Sequence, residues 1–308
     1  YGVDLVIELP SYFVAQNASI FAQAAIDSLA IMQVDSVCFG SESDIEYLNL
    51  MSEININVDH LKEIMKSGDS YASALGRLTN CFTPNDILAI SYLKQLKNYP
   101  NIQPINIIRT NDYHDQNIQD NNFSSATSIR NAMKNKSDFS TATPISDLLR
   151  KYENINSYYF PILKNKIISL TKDQLNQILL VDEGIENLMK KNILIYDNYE
   201  DFVNSCVSRR YSKSRISRIC LHIILNTIKK DIKIDGVRVL AFNDTGRSYL
   251  RQLKEQEVNV YTKFNQIPYD IAQYEYLVSQ IYSLYYQDKS IGSSEVVGAK
   301  YYQKKANE

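Results

Sequence analysis

The chain has 308 residues, 44% of them hydrophobic and 22% charged, the balance of a folded globular protein of about two domains rather than a disordered one. A net charge of −2 and a pI near 6.0 announce no nucleic-acid partner globally, and no apolar run approaches the roughly 20 residues that cross a bilayer. The four cysteines (Cys38, Cys81, Cys206, Cys220) form no CxxC pair and the three histidines (His60, His114, His222) are scattered, so the expectation is buried, reduced thiols in a cytosolic protein and no metal site.

In chain order, Val3 to Leu9 reads as a buried strand ended by Pro10. Residues 18 to 32 carry Ile20, Phe21, Ala24, Ala25, Ser28, Leu29 and Met32 at helical spacing. A second strand at Val34 to Phe39 stops at Gly40, and residues 44 to 79 read as several short helices. Pro84 opens a clearer helix that runs to about Tyr99; proline suits a first turn because its missing N–H has no partner there. Ile105 to Ile108 forms a third strand, followed by a polar loop from Arg109 to about Asn122 and a helix from Ser124 or Ser125. Strand–helix alternation with crossovers of this length predicts a parallel sheet covered by helices. From about Thr143 the pattern turns helical, almost throughout 155 to 226, with breaks near Asp182-Glu183-Gly184 and Tyr196-Asp197-Asn198. A small α/β piece follows, with strands at Val237 to Phe242 and Val258 to Phe264 around a helix at Gly246 to Lys254. A helix from Tyr269 to Tyr286 comes next, then a polar, loosely ordered end from Asp288. The expected division is an α/β domain over 1–145 and a mainly helical domain over 146–308.

Five motifs carry chemistry. Ser124-Ser125-Ala126-Thr127-Ser128-Ile129-Arg130 places hydroxyls, free N–H groups and an arginine at a helix start, a cradle for phosphate oxygens or a plain serine cap. Arg109-Thr110-Asn111-Asp112-Tyr113-His114-Asp115 stands at the carboxyl end of the third strand, where ligands bind in open α/β sheets. Within it His114 reads as an acid–base group or as a loop histidine fixed by an Asx turn. Phe39-Gly40-Ser41-Glu42 offers a glycine that lets backbone approach a flat ligand, or simply a turn. In Thr83-Pro84-Asn85-Asp86 the asparagine contacts a ligand or caps the helix. Finally, no acid occurs between Val203 and Lys230, whereas Arg209, Arg210, Lys213, Arg215, Arg218, Lys229 and Lys230 do. On a helix from Ser212, Ile216, Ile219, Cys220, Ile223 and Ile224 form the apolar face, and Arg215, Arg218 and His222 share another stripe. The cluster of seven basic residues reads as a nucleic-acid backbone surface, against the alternative of a solvated helix face.

Gly2-Val3-Asp4-Leu5-Val6-Ile7-Glu8-Leu9-Pro10, Phe39-Gly40-Ser41-Glu42, Pro84-Asn85, Asp112-Tyr113-His114-Asp115, Ser125 to Arg130, Arg210-Tyr211 and Leu221-His222-Ile223-Ile224-Leu225 occur in this order. Together they resemble the bacterial tRNA(Met) cytidine acetate ligase family of the HxGH nucleotidyltransferase superfamily. The resemblance implies a Rossmann-like parallel-sheet nucleotidyltransferase domain, lacking its first strand here, over 1–145. Over 146–308 it implies a tRNA-binding, mainly helical domain with a small α/β element. It implies an ATP-dependent ligase that activates acetate as acetyl-adenylate and acetylates the wobble cytidine of elongator tRNA(Met) to 4-acetylcytidine in the cytoplasm. ATP, with Mg2+, and acetate are then substrates and no prosthetic group is needed. It assigns ATP contacts to Gly40, Asn85 and Arg109, and phosphate contacts to Ser125, Thr127, Ser128 and Arg130. The basic stretch supplies Arg209, Arg210, Lys213, Arg215 and Arg218 for tRNA. The family's HxGH segment lies ahead of the stretch matching Tyr1 to Pro10, and no histidine pair of that spacing occurs in these 308 residues. The catalytic residues are therefore unassigned, and the expectation is that this polypeptide alone shows no acetate-dependent ATP–pyrophosphate exchange; robust exchange would overturn it. Two rival readings are a small-molecule adenylyl- or cytidylyltransferase and a non-catalytic RNA-binding remnant.

Overall fold

A computed structural model of the chain describes residues 2–54, 76, 83–109, 118, 124–150, 156–286 and 288–303. The first half is organised around β2 (Ser36–Ser41) and β3 (Gln103–Ile108), which pair in parallel from Ser36 opposite Gln103 to Ser41 opposite Ile108. Side chains alternate faces along a strand, so Val37, Phe39 and Ser41 turn inward while Cys38 and Gly40 turn outward. The inward face packs on α2 (Ala18–Ile31), α3 (Ile45–Glu53) and α4 (Pro84–Leu96), burying Ile26, Leu48, Ile90 and Leu93. This is the expected helix-covered parallel pair. Cys38 departs from the expectation of four buried thiols: it is exposed because strand alternation puts it on the open face, beside exposed Ile105 and Ile107. Cys206 and Cys220 are buried, and burial pushes both thiols up; Cys81 lies outside the described residues.

The N-terminal strand is shorter and more exposed than its apolar run suggests. β1 (Leu5–Ile7) leaves Val3 and Val6 exposed and pairs antiparallel with β4 (Val237–Phe242), not with β2 or β3. Apolar residues mark a strand, but backbone edges carry no residue-specific address, and here the free edge of β4 is what β1 meets. β4 also pairs in parallel with β5 (Val260–Tyr261) and with β6 (Lys300–Tyr301). Within the end expected to be loose, α14 (Lys289–Ser294) and β6 form regular structure, and residues 304–308 lie outside the described residues. The expected strand to Phe264 reduces to Val260–Tyr261, with a 3-10 turn at Phe264–Gln266. The join is close: an ideal Cβ on Gly246, in the first turn of α12 (Asp244–Glu255), would stand 2.3 Å from the Asp4 carbonyl oxygen, so only glycine fits without a shift.

An ionic cluster closes the same seam. Arg238 of β4 is buried, with Nη1 3.1 Å from the Glu8 carboxylate and in contact with Glu295, and Nη2 donating to the Glu295 carbonyl at 2.6 Å. Glu275, in α13 (Tyr269–Tyr286), accepts from the Ser11 N–H and hydroxyl, both at 2.6 Å, at the start of α1 (Ser11–Val14). Burial, then repulsion from Glu275, raises the Glu8 carboxyl from 4.5 to about 7 despite Arg238.

Between these halves lie α5 (Ala126–Lys134) and α6 (Ser146–Leu149). The helical part comprises α7 (Asn156–Ser169), α8 (Lys172–Asn176), α9 (Ile185–Asn192), α10 (Tyr199–Cys206) and α11 (Lys213–Leu225). Leu163, Ile167, Phe202, Ile216, Ile219 and Ile223 form its core, joined by Tyr285 from α13. A second cluster, with Tyr12, Phe13 and Ala24 packed on Leu179, Ile232, Ile234 and Tyr274, ties α1 and α2 to the segments flanking the helical core.

Candidate nucleotide site and basic helix

Both parallel strands end at one place. The Arg109 N–H donates to the Ser41 carbonyl at 2.8 Å, continuing the ladder, and so brings Arg109 beside the Gly40–Glu42 turn. An ideal Cβ on Gly40 would touch Arg109 Cγ and the Ile107 oxygen only at 3.8 Å, ordinary contact. The fold itself therefore does not require glycine there, and the bare backbone lies on the open face of the sheet. Beyond Gly40 the chain is held by a polar net. The Ser41 hydroxyl donates to the Ser43 carbonyl and lies 2.7 Å from Asn106 Oδ1, and Asn106 Nδ2 also donates to the Ser43 carbonyl.

Asn85 sits in the first turn of α4, which follows Thr83 and opens at Pro84 with no side-chain cap. Asn85 does not cap the helix: its Nδ2 donates to Glu42 Oε1 at 2.6 Å. The same carboxylate lies 3.4 Å from Arg109 Nε. Gly40, Asn85 and Arg109 are thus brought together, with Glu42 between the last two. The neighbouring Asp86 accepts the N–H groups of Glu42 and Ser43 at 2.8 and 3.0 Å and the Ser43 hydroxyl at 2.7 Å. Burial alone would raise the Asp86 carboxyl, but the hydrogen bonds, chiefly from Ser43, hold it below the usual carboxylate range. Glu42 and Asp86 carry no role in the sequence reading; the available signal was an acid at each element boundary of the expected site. Thr110 to Asp115, His114 included, lie outside the described residues.

The Ser125–Arg130 stretch forms the N-terminus of α5. Ser125 caps it, accepting the Ser128 N–H at 3.0 Å, and Ser128 donates its hydroxyl to the Ser125 carbonyl at 2.8 Å; both are buried. The two hydroxyls are therefore engaged within the turn itself. Arg130 reaches back to Thr127 Oγ1 at 3.4 Å on the exposed side, where a cation and a hydroxyl stand together over the positive end of the helix.

The basic segment folds as expected into α11, capped by Ser212, with Ile216, Ile219, Cys220, Ile223 and Ile224 buried. Its polar stripe behaves otherwise. His222 is fully buried with Nε2 2.9 Å from the Ala15 carbonyl, and Arg218 Nη1 donates to the Gln16 carbonyl at 3.2 Å. These two dock α11 on the α1–α2 junction instead of facing solvent. Burial, with Arg215 nearby, pulls the Arg218 guanidinium down, and burial likewise lowers the His222 imidazole. Arg215 stacks on the Tyr211 ring at 4.3 Å and lies 3.8 Å from Asp182; Arg210 lies 3.6 Å from Glu183 and Lys213 pairs with Glu200. The acids missing from the segment arrive from outside it, so the local charge is lower than the linear stretch implies. Arg209 and Lys213 are exposed beside them.

A glycine and an arginine at the carboxyl ends of two parallel strands, with an asparagine from the adjoining helix start, stand where open α/β sheets bind their ligands, so the fold is that of an α/β protein with its cleft at this edge. A family model for the HIGH nucleotidyl transferases matches residues 1–295. The tRNA(Met) cytidine acetate ligase of Staphylococcus carnosus is 33% identical over 300 residues, spanning 91% of this chain and 78% of that protein. The ligase of the same name from Staphylococcus aureus is 36% identical over 266 residues, spanning 82% of this chain and 70% of that protein. The crystal structure of apo Thermotoga maritima TmcAL superposes with a TM-score of 0.85 at 22% identity, covering 98% of this chain and 85% of the other. A second structure of that protein, bound with alpha-thio ATP, superposes with a TM-score of 0.81. The chain belongs to the tRNA(Met) cytidine acetate ligase family of HIGH nucleotidyl transferases. The expected Rossmann-like fold with a helical second half is borne out by these likenesses.

Proposed function

We propose that the chain is the body of an ATP-dependent ligase that acetylates the wobble cytidine of elongator tRNA(Met) to 4-acetylcytidine. The observation that carries this reading is the convergence of Gly40, Asn85 and Arg109 around Glu42 in a chain whose relatives bear that name. In the reaction an acetate oxygen attacks the α-phosphorus of ATP, pyrophosphate leaves, and acetyl-adenylate forms. The cytidine N4 amine then attacks the acetyl carbonyl, loses a proton, and expels AMP. Arg109 and the exposed side of the α5 terminus, with Thr127 and Arg130, are the groups in this chain suited to phosphate oxygens, whereas the expected Ser125 and Ser128 hydroxyls are buried and serve the helix cap. Holding the reactants and the leaving group accounts for the part of Arg109, Thr127 and Arg130. Mg2+ would accompany ATP as the counter-ion of its phosphates. The proposed division remains a nucleotide-binding domain over 1–145 and a tRNA-binding domain over 146–308, and tRNA modification is in keeping with a cytoplasmic location. Among the described residues no helix is long and apolar enough to cross a membrane.

The tRNA surface reduces in this proposal to exposed Arg209 and Lys213 with partly exposed Arg210 and Arg215, because Arg218 is engaged within the fold. Changing Arg210 and Arg215 together to Glu is expected to lower tRNA affinity about 10-fold or more at low salt, with ATP binding unchanged. Filter binding across a salt series tests it. Equal affinity and an equal salt slope would return the segment to a solvated helix face.

A further inference from the structure

We propose that Glu42 positions Asn85 and Arg109 and thereby decides which nucleoside this site accepts. This rests on the nucleotide site proposed above and names its selectivity. Glu42 follows β2 directly, and its turn is rigid, since Asp86 ties down the Glu42 and Ser43 N–H groups and the Ser43 hydroxyl. A carboxylate only accepts hydrogen bonds, so Asn85 must turn its NH2 toward Glu42 and leave Oδ1 for another donor. The second carboxylate oxygen, Glu42 Oε2, is buried with no partner among the described residues. A buried carboxylate oxygen left without a donor is costly, so its occupant is expected to be part of the functional complex.

The site therefore presents two acceptors, Asn85 Oδ1 and Glu42 Oε2, beside the guanidinium of Arg109, whose Nε is likewise buried without a hydrogen-bond partner. Phosphate oxygens are acceptors and suit Arg109, but they are repelled by the acceptor pair. The matching chemistry for the pair is a neutral donor, which a nucleoside carries as an exocyclic amine or as ribose hydroxyls. Glu42 touches the nucleoside through one oxygen and acts through Asn85 and Arg109 with the other.

The test is equilibrium binding of ATP, ITP and 2′-deoxy-ATP to the full chain and to Glu42→Ala, Glu42→Gln, Asn85→Ala and Arg109→Ala, with urea unfolding of each. ITP replaces the amine by a carbonyl, and 2′-deoxy-ATP removes a hydroxyl, so the two arms separate the donor sources. Glu42→Ala is expected to weaken ATP about 10- to 100-fold and to erase the preference for ATP over whichever analogue the intact chain rejects. Glu42→Gln, which restores an acceptor without the charge, is expected to recover part of that loss. A folded Glu42→Ala chain with unchanged ATP affinity and unchanged selectivity, while Asn85→Ala and Arg109→Ala lose ATP, would overturn the role of Glu42 and keep the nucleotide site. Failure of the intact chain to bind ATP, or indifference of all four variants, would overturn the nucleotide site and this inference with it.

Discussion

Replacing Arg238 by Met is expected to destabilise the folded chain by about 3–5 kcal/mol near pH 8, and by clearly less near pH 5.5. Methionine approximates the volume of the arginine stem but removes the cation that faces Glu8 and Glu295, leaving two poorly hydrated carboxylates with Glu275 close enough to repel Glu8. Breaking a buried ion pair from one side costs more than the pair contributes, because the survivors keep their desolvation penalty. The pH dependence follows from Glu8, whose carboxyl stands at about 7 in the folded chain and at 4.5 ordinarily. A group raised in the folded state contributes stability that is full below the unfolded value and is lost as pH rises through the folded one. Without Arg238 the Glu8 carboxyl moves further up, so the variant loses most on the alkaline side, where Glu8 would have to ionise uncompensated. Urea unfolding at the two pH values measures both parts. A loss below about 1 kcal/mol near pH 8, or a larger loss near pH 5.5, would show that the cluster is not what holds β1 to β4.

Arg218→Glu is expected to cost about 3 kcal/mol, against about 1 kcal/mol for Arg215→Glu three residues earlier on the same helix. Arg218 donates to the Gln16 carbonyl, next to the His222–Ala15 contact, in a half-buried seam. A glutamate there sets a carboxylate against carbonyl oxygens and leaves the Gln16 acceptor unmet. Arg215 keeps a partly exposed position over Tyr211, with a loose ion pair to Asp182, and its reversal loses a modest cation–π contact. Thermal unfolding of the two variants side by side checks the difference. Equal stability would mean that α11 does not depend on Arg218 for its docking. The comparison also bears on RNA binding, because a tRNA defect in an Arg218 variant would report damage to the fold, whereas one at Arg210 or Arg215 would report the surface.

The local signals were legible in the residues. Pro84 opened its helix, Ser212 and Ser125 capped theirs, the 269–286 helix ends where its aromatic run ends, and short apolar runs located β2 and β3, although β2 continues through Gly40 to Ser41 instead of stopping there, since its ladder with β3 runs on to Ile108. The ordered motifs also carried the family, because a set of short stretches in fixed sequence is specific where each stretch alone is not. Asn85 illustrates the limit: a helix-start asparagine reads equally as cap or ligand contact, and its actual partner, Glu42, comes from a distant turn.

What the residues determined by themselves was therefore everything set by neighbours along the chain, namely helix periodicity, strand alternation, caps and motif order. Tertiary structure decided three things that depend on partners distant in sequence. It paired β1 with β4, it brought Asp182, Glu183 and Glu200 to the basic segment, and it turned Arg218 and His222 inward against α1. The physical reason is common to all three. Backbone edges and charges interact through space with whatever the fold delivers, and neither a strand's free edge nor an arginine's counter-ion leaves a trace in the residues beside it.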